Sequence, residues 1–143
     1  MVCGASALAK YVLKYFSDLD APISNLQLQK LLYFCWIDYY DKLVEYLFND
    51  WFVAWSLGPA IVSVYHEYCS YGGRPIFKSK GNFPEGVDKR IVDDCLSGYQ
   101  GWTAFRMVNK SHHKGGAWDV VFSSQGKGAV ISFDLIKRLE CRR

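Results

Sequence analysis

The residues of this chain with the means to do chemistry are three histidines, five cysteines and a scatter of carboxylates. The histidines are His66, His112 and His113. Adjacent His112 and His113 point different ways on regular backbone, so they make a poor metal pair, and a capping, core-edge or partner-contact role suits them better. The cysteines stand at 3, 35, 69, 95 and 141. They are odd in number, widely spaced and never in a Cys-x-x-Cys pair, which matches neither a zinc site nor a disulfide framework. Reduced thiols in a cytoplasm fit best, with Cys35 and Cys69 buried as small apolar groups.

A Cys–His nucleophile assembled from Cys35 or Cys69 with His66 or His112 would need a thiolate, which apolar helical surroundings disfavour. Asp93-Asp94 and Asp18-x-Asp20 read as solvated acids. The chain has no Gly-rich phosphate loop after a strand, no Gly-x-Ser-x-Gly and no His-Glu-x-x-His. The expectation is therefore a binding protein and not an enzyme, with no catalytic, cofactor-binding or metal-ligating residue.

Charge points the same way. Seventeen Lys and Arg against fourteen Asp and Glu give a net charge of +3, a weak basis for nucleic-acid binding. Basic residues gather at Arg106, Lys110, Lys114, Lys127, Lys137, Arg138, Arg142 and Arg143, but Asp134 and Glu140 interrupt the tail and the aromatics lie upstream. A solvated face is the expectation. The longest apolar run, Leu31 to Ile37, stops at Asp38, far short of the ~20 residues that span a bilayer. The opening MVCGASALAKYV lacks a basic start, an apolar block and a small-residue cleavage site, so no secretory signal is expected.

The elements that position these residues follow from periodicity. With 143 residues, half of them hydrophobic and 22% charged, a single globular domain over 1–143 is expected. Leu8, Val12 and Phe16 recur at i+4 beside Ala5 and Ala9, predicting a helix from Ala5 to Phe16 that SDLDAP ends. Ser24 with Gln27 forms a capping box for a second helix, whose stripe is Leu28, Leu31, Leu32, Cys35, Trp36 and Tyr39, with Gln27, Lys30 and Asp38 on other faces. LVEYLF and WFVAWS flank Asn49-Asp50 as two short strands around a turn, or the helix extends to Tyr46. Gly58-Pro59 opens a third helix from about Ala60 to Cys69, with Ile61, Val64, Tyr65 and Tyr68 inward.

Arg74 to Pro84 reads as an exposed, mobile loop. Helices follow from about Val87 to Leu96, with Val87, Ile91 and Cys95 inward, and from about Thr103 to Lys110, with Phe105 and Val108. VVF, SSQGKG and AVIS suggest a second small hairpin, and a last short helix covers Asp134 to Arg138, capped by Ser132 or Asp134. The fold class is mainly α: five to six helices with one or two small β-hairpins or extended segments.

Between Tyr33 and Trp55 stand ten aromatic side chains, more than one helix face can bury. About two in three are expected in the core. Tyr33, Tyr40 and Trp51 fall off the apolar stripes and are the leading surface candidates for contact with a partner, because aromatics bury large areas with few rotatable bonds.

LQLQKLLYF followed by WFVAWSLGPAIVSVYHEY resembles the signature of the Panacea domain family, the SocA-like and phage-associated GepA-like proteins. Leu26, Leu28, Gln29, Lys30, Leu31, Leu32 and Tyr33 match its first part, and Ala54, Trp55, Gly58, Pro59, Val64 and Tyr65 its second. Ser111, His112 and Trp118 match a downstream Ser-His and Trp, and AVISFDLIKRL resembles the final turn into a helix. Leu57 stands where an aromatic is usual, and Gly116-Ala117 replaces the usual Pro.

The resemblance implies a helical, non-catalytic protein-binding domain, an antitoxin of a type II toxin–antitoxin pair. It would neutralise its toxin by direct contact or hand it to an AAA+ protease as an adaptor. The alternative is a phage or mobile-element protein that inhibits or redirects a host defence complex. Homodimerisation stays open. Leu28, Leu31, Leu32, Trp55 and Tyr65 are expected to be scaffold, Gly58 and Pro59 to shape a turn, and Lys30, Tyr33, His112 and Trp118 to form a polar cluster or contact the partner.

Overall fold

A computed structural model describes residues 3–142 and contains seven α-helices and one three-stranded antiparallel sheet among them. Helix α1 spans Ala5–Asp18 and buries Leu8, Val12, Leu13 and Phe16. Its N-terminus has no local side-chain cap. Asp50 supplies one from a distance, accepting the Ala5 N–H at 2.9 Å.

Helix α2, Asn25–Leu43, is the axis of the domain and packs on α1, α3, α4, α5 and α7. Both bonds of the Ser24–Gln27 capping box are made. All six residues of the predicted stripe are buried, but so are Gln29, Lys30, Tyr33 and Phe34, because neighbours cover α2 on nearly every side. Lys30 therefore does not occupy a solvent face. The helix ends in a left-handed Val44 (φ 55°), a conformation costly for a β-branched residue, and Lys42 lies in the last turn.

The first hairpin is displaced from its expected place. Residues 44–51 form no strand pair: Leu47 and Phe48 enter the core, Trp36 Nε1 donates to the Phe48 carbonyl at 3.1 Å, and Asp50 caps α1. The strands are β1, Phe52–Trp55, and β2, Gly58–Ala60, joined through Ser56-Leu57 with Trp55 opposite Gly58 and Val53 opposite Ala60. Gly58-Pro59 is thus edge strand and not the first turn of a helix; a Pro is tolerated there because an edge strand can forgo one donor.

Helix α3 begins later, at Val62–Tyr68, and a single 3-10 turn, Cys69–Tyr71, follows it. Val64 and Tyr68 face inward, while Tyr65 and Cys69 are exposed, against expectation, because α3 is short and packs one face only.

The loop before Pro84 is anchored by Ile76, which is buried and bridges to Ile23. Asp88 caps α4, Lys89–Gly98, which buries Val92, Cys95 and Leu96 while Ile91 is half-buried. Thr103 caps α5, Ala104–Ser111, where Met107 and Val108 turn inward and Phe105 turns out, 74% exposed.

The second hairpin is absent as drawn: VVF lies inside helix α6, Ala117–Gln125, which buries Ala117, Trp118 and Val121 on one face. Packing against β1 and α7 overrides the local β preference of the valines. Only β3, Val130–Ile131, is extended, and it pairs with β1 to give the order β2-β1-β3. Ser132 caps α7, Phe133–Glu140. Arg143 lies outside the described residues.

Of the ten aromatics between Tyr33 and Trp55, six are buried, three half-buried, and Trp51 alone exposed. The expected preponderance of core is met. The surface expectation for Tyr33 is not: it is 2% exposed and meets Phe52 edge-on at 5.1 Å.

Candidate functional site

The first half of α2 faces the β1–β2 hairpin through a row of polar side chains that are buried: Asn25, Gln29 and Lys30, with Ser111 of α5 beside them. Each amide has a defined task. Gln29 accepts the Ile61 N–H at 2.8 Å and donates to Asn25 Oδ1 at 3.1 Å; Asn25 donates to the Tyr65 carbonyl at 3.1 Å. These bonds satisfy the backbone where β2 turns into α3, a place regular pairing does not reach.

Lys30 is 1% exposed, and Nζ donates to the Pro59 carbonyl at 2.8 Å. Burial pushes its pKa from 10.5 down to about 7. No acid forms an ion pair with it among the described residues.

His112 and Trp118 flank this row. Their rings stack at 3.6 Å with 4° between planes, and Trp118 Nε1 donates to the Trp55 carbonyl at 2.8 Å. His112 Nε2 is buried without a partner. Burial, then the charge of Lys30, lowers the His112 pKa, so the ring favours its neutral form. Trp55, half-buried, meets Tyr65 edge-on at 4.9 Å.

Outward of Lys30 this arrangement opens into a groove of about 540 Å³, walled by Leu26, Trp55, Leu57 and Tyr65. Leu57 and Tyr65 project from its rim. Apolar walls with a few placed polar groups are the makings of a binding site.

A second polar centre lies about one turn further along α2, around Tyr33. Glu140, near the end of α7, accepts Tyr33 Oη at 3.1 Å and the Ala117 N–H at 2.9 Å through one oxygen, while His113 Nε2 lies 2.7 Å from the other. Burial, reinforced by Glu140, raises the Tyr33 pKa well above its ordinary value, so the phenol stays protonated and donates. This cluster ties α2, α6 and α7 together. It borders a cleft of about 760 Å³ where Asp38 and Asp41 stand among Lys42, Lys110 and Arg142. The two signs largely answer each other there, and Asp41 accepts the Arg142 N–H. Burial raises the Asp38 pKa.

The expected polar cluster is thus divided. Lys30, Ser111, His112 and Trp118 do gather, whereas Tyr33 belongs to the Glu140 centre. Tyr40 is half-buried in an aromatic stack, 5.7 Å from Trp36 with 2° between planes, with Lys137 over its ring. Trp51 is 64% exposed and lines neither the groove nor the cleft. Of the residues expected to be scaffold, Leu28, Leu31 and Leu32 are fully buried, whereas Trp55 is half-buried and Tyr65 is exposed.

Sequence reasoning passed over Asn25, Gln29 and Glu140 as parts of these centres. Asn25 and Gln29 sit one turn apart next to a capping box, which was the available signal. Glu140 in a charged tail gave none. Among the described residues no group of three His, Cys, Asp or Glu is placed to hold a metal ion, and no helix is long and apolar enough to cross a membrane.

Comparison with known proteins places these features in a family. Residues 28–119, which hold most of α2, the hairpin and the His112–Trp118 stack, match the family described as Antitoxin SocA-like, Panacea domain. The chain is also 31% identical over 145 positions to Antitoxin SocA of Caulobacter vibrioides (strain NA1000 / CB15N), covering 85% of this chain and 72% of that protein. No solved structure matches it significantly.

Proposed function

The chain belongs to the SocA-like antitoxin family of Panacea domains, and from that premise we propose that it is an antitoxin that binds a protein toxin directly. The observation that carries the reading is the 31% identity to a protein named Antitoxin SocA over most of both chains. The physical features agree with it. A densely packed helical scaffold holds a rim of apolar side chains, Leu57 and Tyr65 beside half-buried Trp55, with Trp51 and Phe105 exposed elsewhere. Exposed aromatics on a rigid frame supply contact area at low entropic cost.

Neutralisation by contact is the form this geometry supports best. Handing the toxin to an AAA+ protease would use the same contact and add a second, so the two routes separate by experiment. The protein encoded beside this chain is expressed alone and together with it in a growth assay, with and without the host's AAA+ proteases. Growth arrest by the neighbour alone, relieved on co-expression in both backgrounds with a complex that co-purifies, supports masking. Relief confined to protease-competent cells supports delivery. A neighbour harmless by itself removes the reading.

A further inference from the structure

The groove outside Lys30 has a definite electrostatic sense. Among the described residues its basic lining consists of Lys30 and Lys127, and no Asp or Glu lines it. Protonated, Lys30 carries three N–H donors, and among the described residues the bond to the Pro59 carbonyl is the one it makes. The neighbouring amides cannot neutralise it: Gln29 and Asn25 are committed to Ile61, Tyr65 and each other. His112, on the same side, is held toward its neutral form partly by the Lys30 charge. A buried amine without an acid is costly, and a carboxylate is the group that offsets the cost.

The walls restrict what can bring that carboxylate. Trp55, Leu57, Leu26 and Tyr65 offer apolar surface and few donors, so a phosphate or other strongly hydrated anion finds too few hydrogen bonds. The groove is open along a rim where Leu57 is 55% exposed, which admits a chain segment.

Resting on the antitoxin reading, we propose that this groove receives an apolar segment of the protein partner that brings one carboxylate to Lys30 Nζ. The segment's side chains cover Leu57 and Tyr65, and its carboxylate takes up the free donors of the amine. Charge-assisted bonds of this kind are stronger than neutral ones, and removing one member of a desolvated pair leaves the other charge unpaired.

The test titrates the purified product of the neighbouring gene into the full-length wild-type protein, Lys30→Met and Leu57→Glu by calorimetry. Lys30→Met removes the amine at similar volume. Leu57→Glu places a like charge on an exposed rim and leaves the core untouched. Both are expected to weaken binding by about tenfold to a hundredfold, the factor that a lost charged hydrogen bond represents. 3-Phenylpropionate at millimolar concentration should compete with the partner, and 3-phenylpropanamide should not.

Unchanged affinity in both variants overturns the groove proposal while leaving the antitoxin reading intact. Equal competition by the acid and the amide overturns the carboxylate. A neighbouring protein that does not bind wild type removes the antitoxin reading, and the occupant assigned to the groove falls with it.

Discussion

The side chain of Lys30 passes so close beneath Gly58 that a Cβ on that glycine would stand 2.6 Å from Lys30 Cε, and equally close to Ser111 Oγ. Gly58 also has φ +112°, which L side chains rarely adopt. The glycine of the Gly-Pro pair is thus fixed by two independent demands, a backbone angle and a buried amine.

Gly58→Ala should accordingly destabilise the fold by about 2–4 kcal/mol, the sum expected of backbone strain and overpacking. Guanidinium denaturation reads this directly. In a Lys30→Ala background the penalty should shrink and not vanish, because the backbone angle and the Ser111 contact persist. Equal penalties in both backgrounds would mean that Lys30 does not constrain the turn.

The buried amine also sets a pH dependence. Its folded pKa of about 7 lies below the unfolded 10.5, so the unfolded chain binds the extra proton between those values. Stability from Lys30 is therefore fully present above pH 10.5, and it is lost as pH falls toward and through 7. Between these limits the slope is at most about 1.4 kcal/mol per pH unit. Lys30→Met should flatten that rise when urea midpoints are compared from pH 7 to pH 10. A parallel pair of curves would contradict the assigned protonation. His112 acts further down: its lowered folded pKa makes stability fall on acidification below about 6.5, the unfolded value.

These two residues show how far the sequence reaches. Leu28, Leu31, Leu32, Cys35, Trp36 and Tyr39 were legible as a stripe because helical spacing alone decides which face they share. The capping box at Ser24 was equally plain. Lys30 was not legible as buried, since its cover comes from β2 and α5, elements remote in the chain. The hairpin was misplaced for a related reason. Asn49-Asp50 has the composition of a turn, yet Asp50 caps α1 and the actual turn, Ser56-Leu57, carries no hairpin signature. The valines of α6 likewise followed tertiary packing over local preference. At the site, His112 and Trp118 were found through family motifs, while Glu140 needed the fold, because its partners lie 23 to 107 residues away.

Glu140 and Tyr33 give a third prediction. Tyr33→Phe keeps the ring against Phe52 and removes one donor, which should cost about 1 kcal/mol. Glu140→Gln removes the charged acceptor shared by Tyr33, Ala117 and His113, and should cost about 1.5–3 kcal/mol. The double variant should fall short of the sum by at least about 0.5 kcal/mol, as expected of residues in one network. Strict additivity in a double-mutant cycle would show that the 3.1 Å contact contributes nothing to stability.

Trp51 separates binding from folding. At 64% exposure it contributes little to the core, so Trp51→Ser should change the unfolding free energy by no more than about 0.5 kcal/mol. Phe105, at 74% exposure on α5, is the matched control from another part of the surface. Large exposed aromatics at an interface commonly supply 2 kcal/mol or more, roughly thirtyfold in affinity. Calorimetric titration of the neighbouring gene's product should therefore show a loss near that size for whichever of the two lies under the partner, and no change for the other. Because β1 begins immediately after Trp51 and leads through Trp55 to the Lys30 groove, the loss is expected at Trp51. A loss at Phe105 alone would place the partner on the α5 face, away from the hairpin.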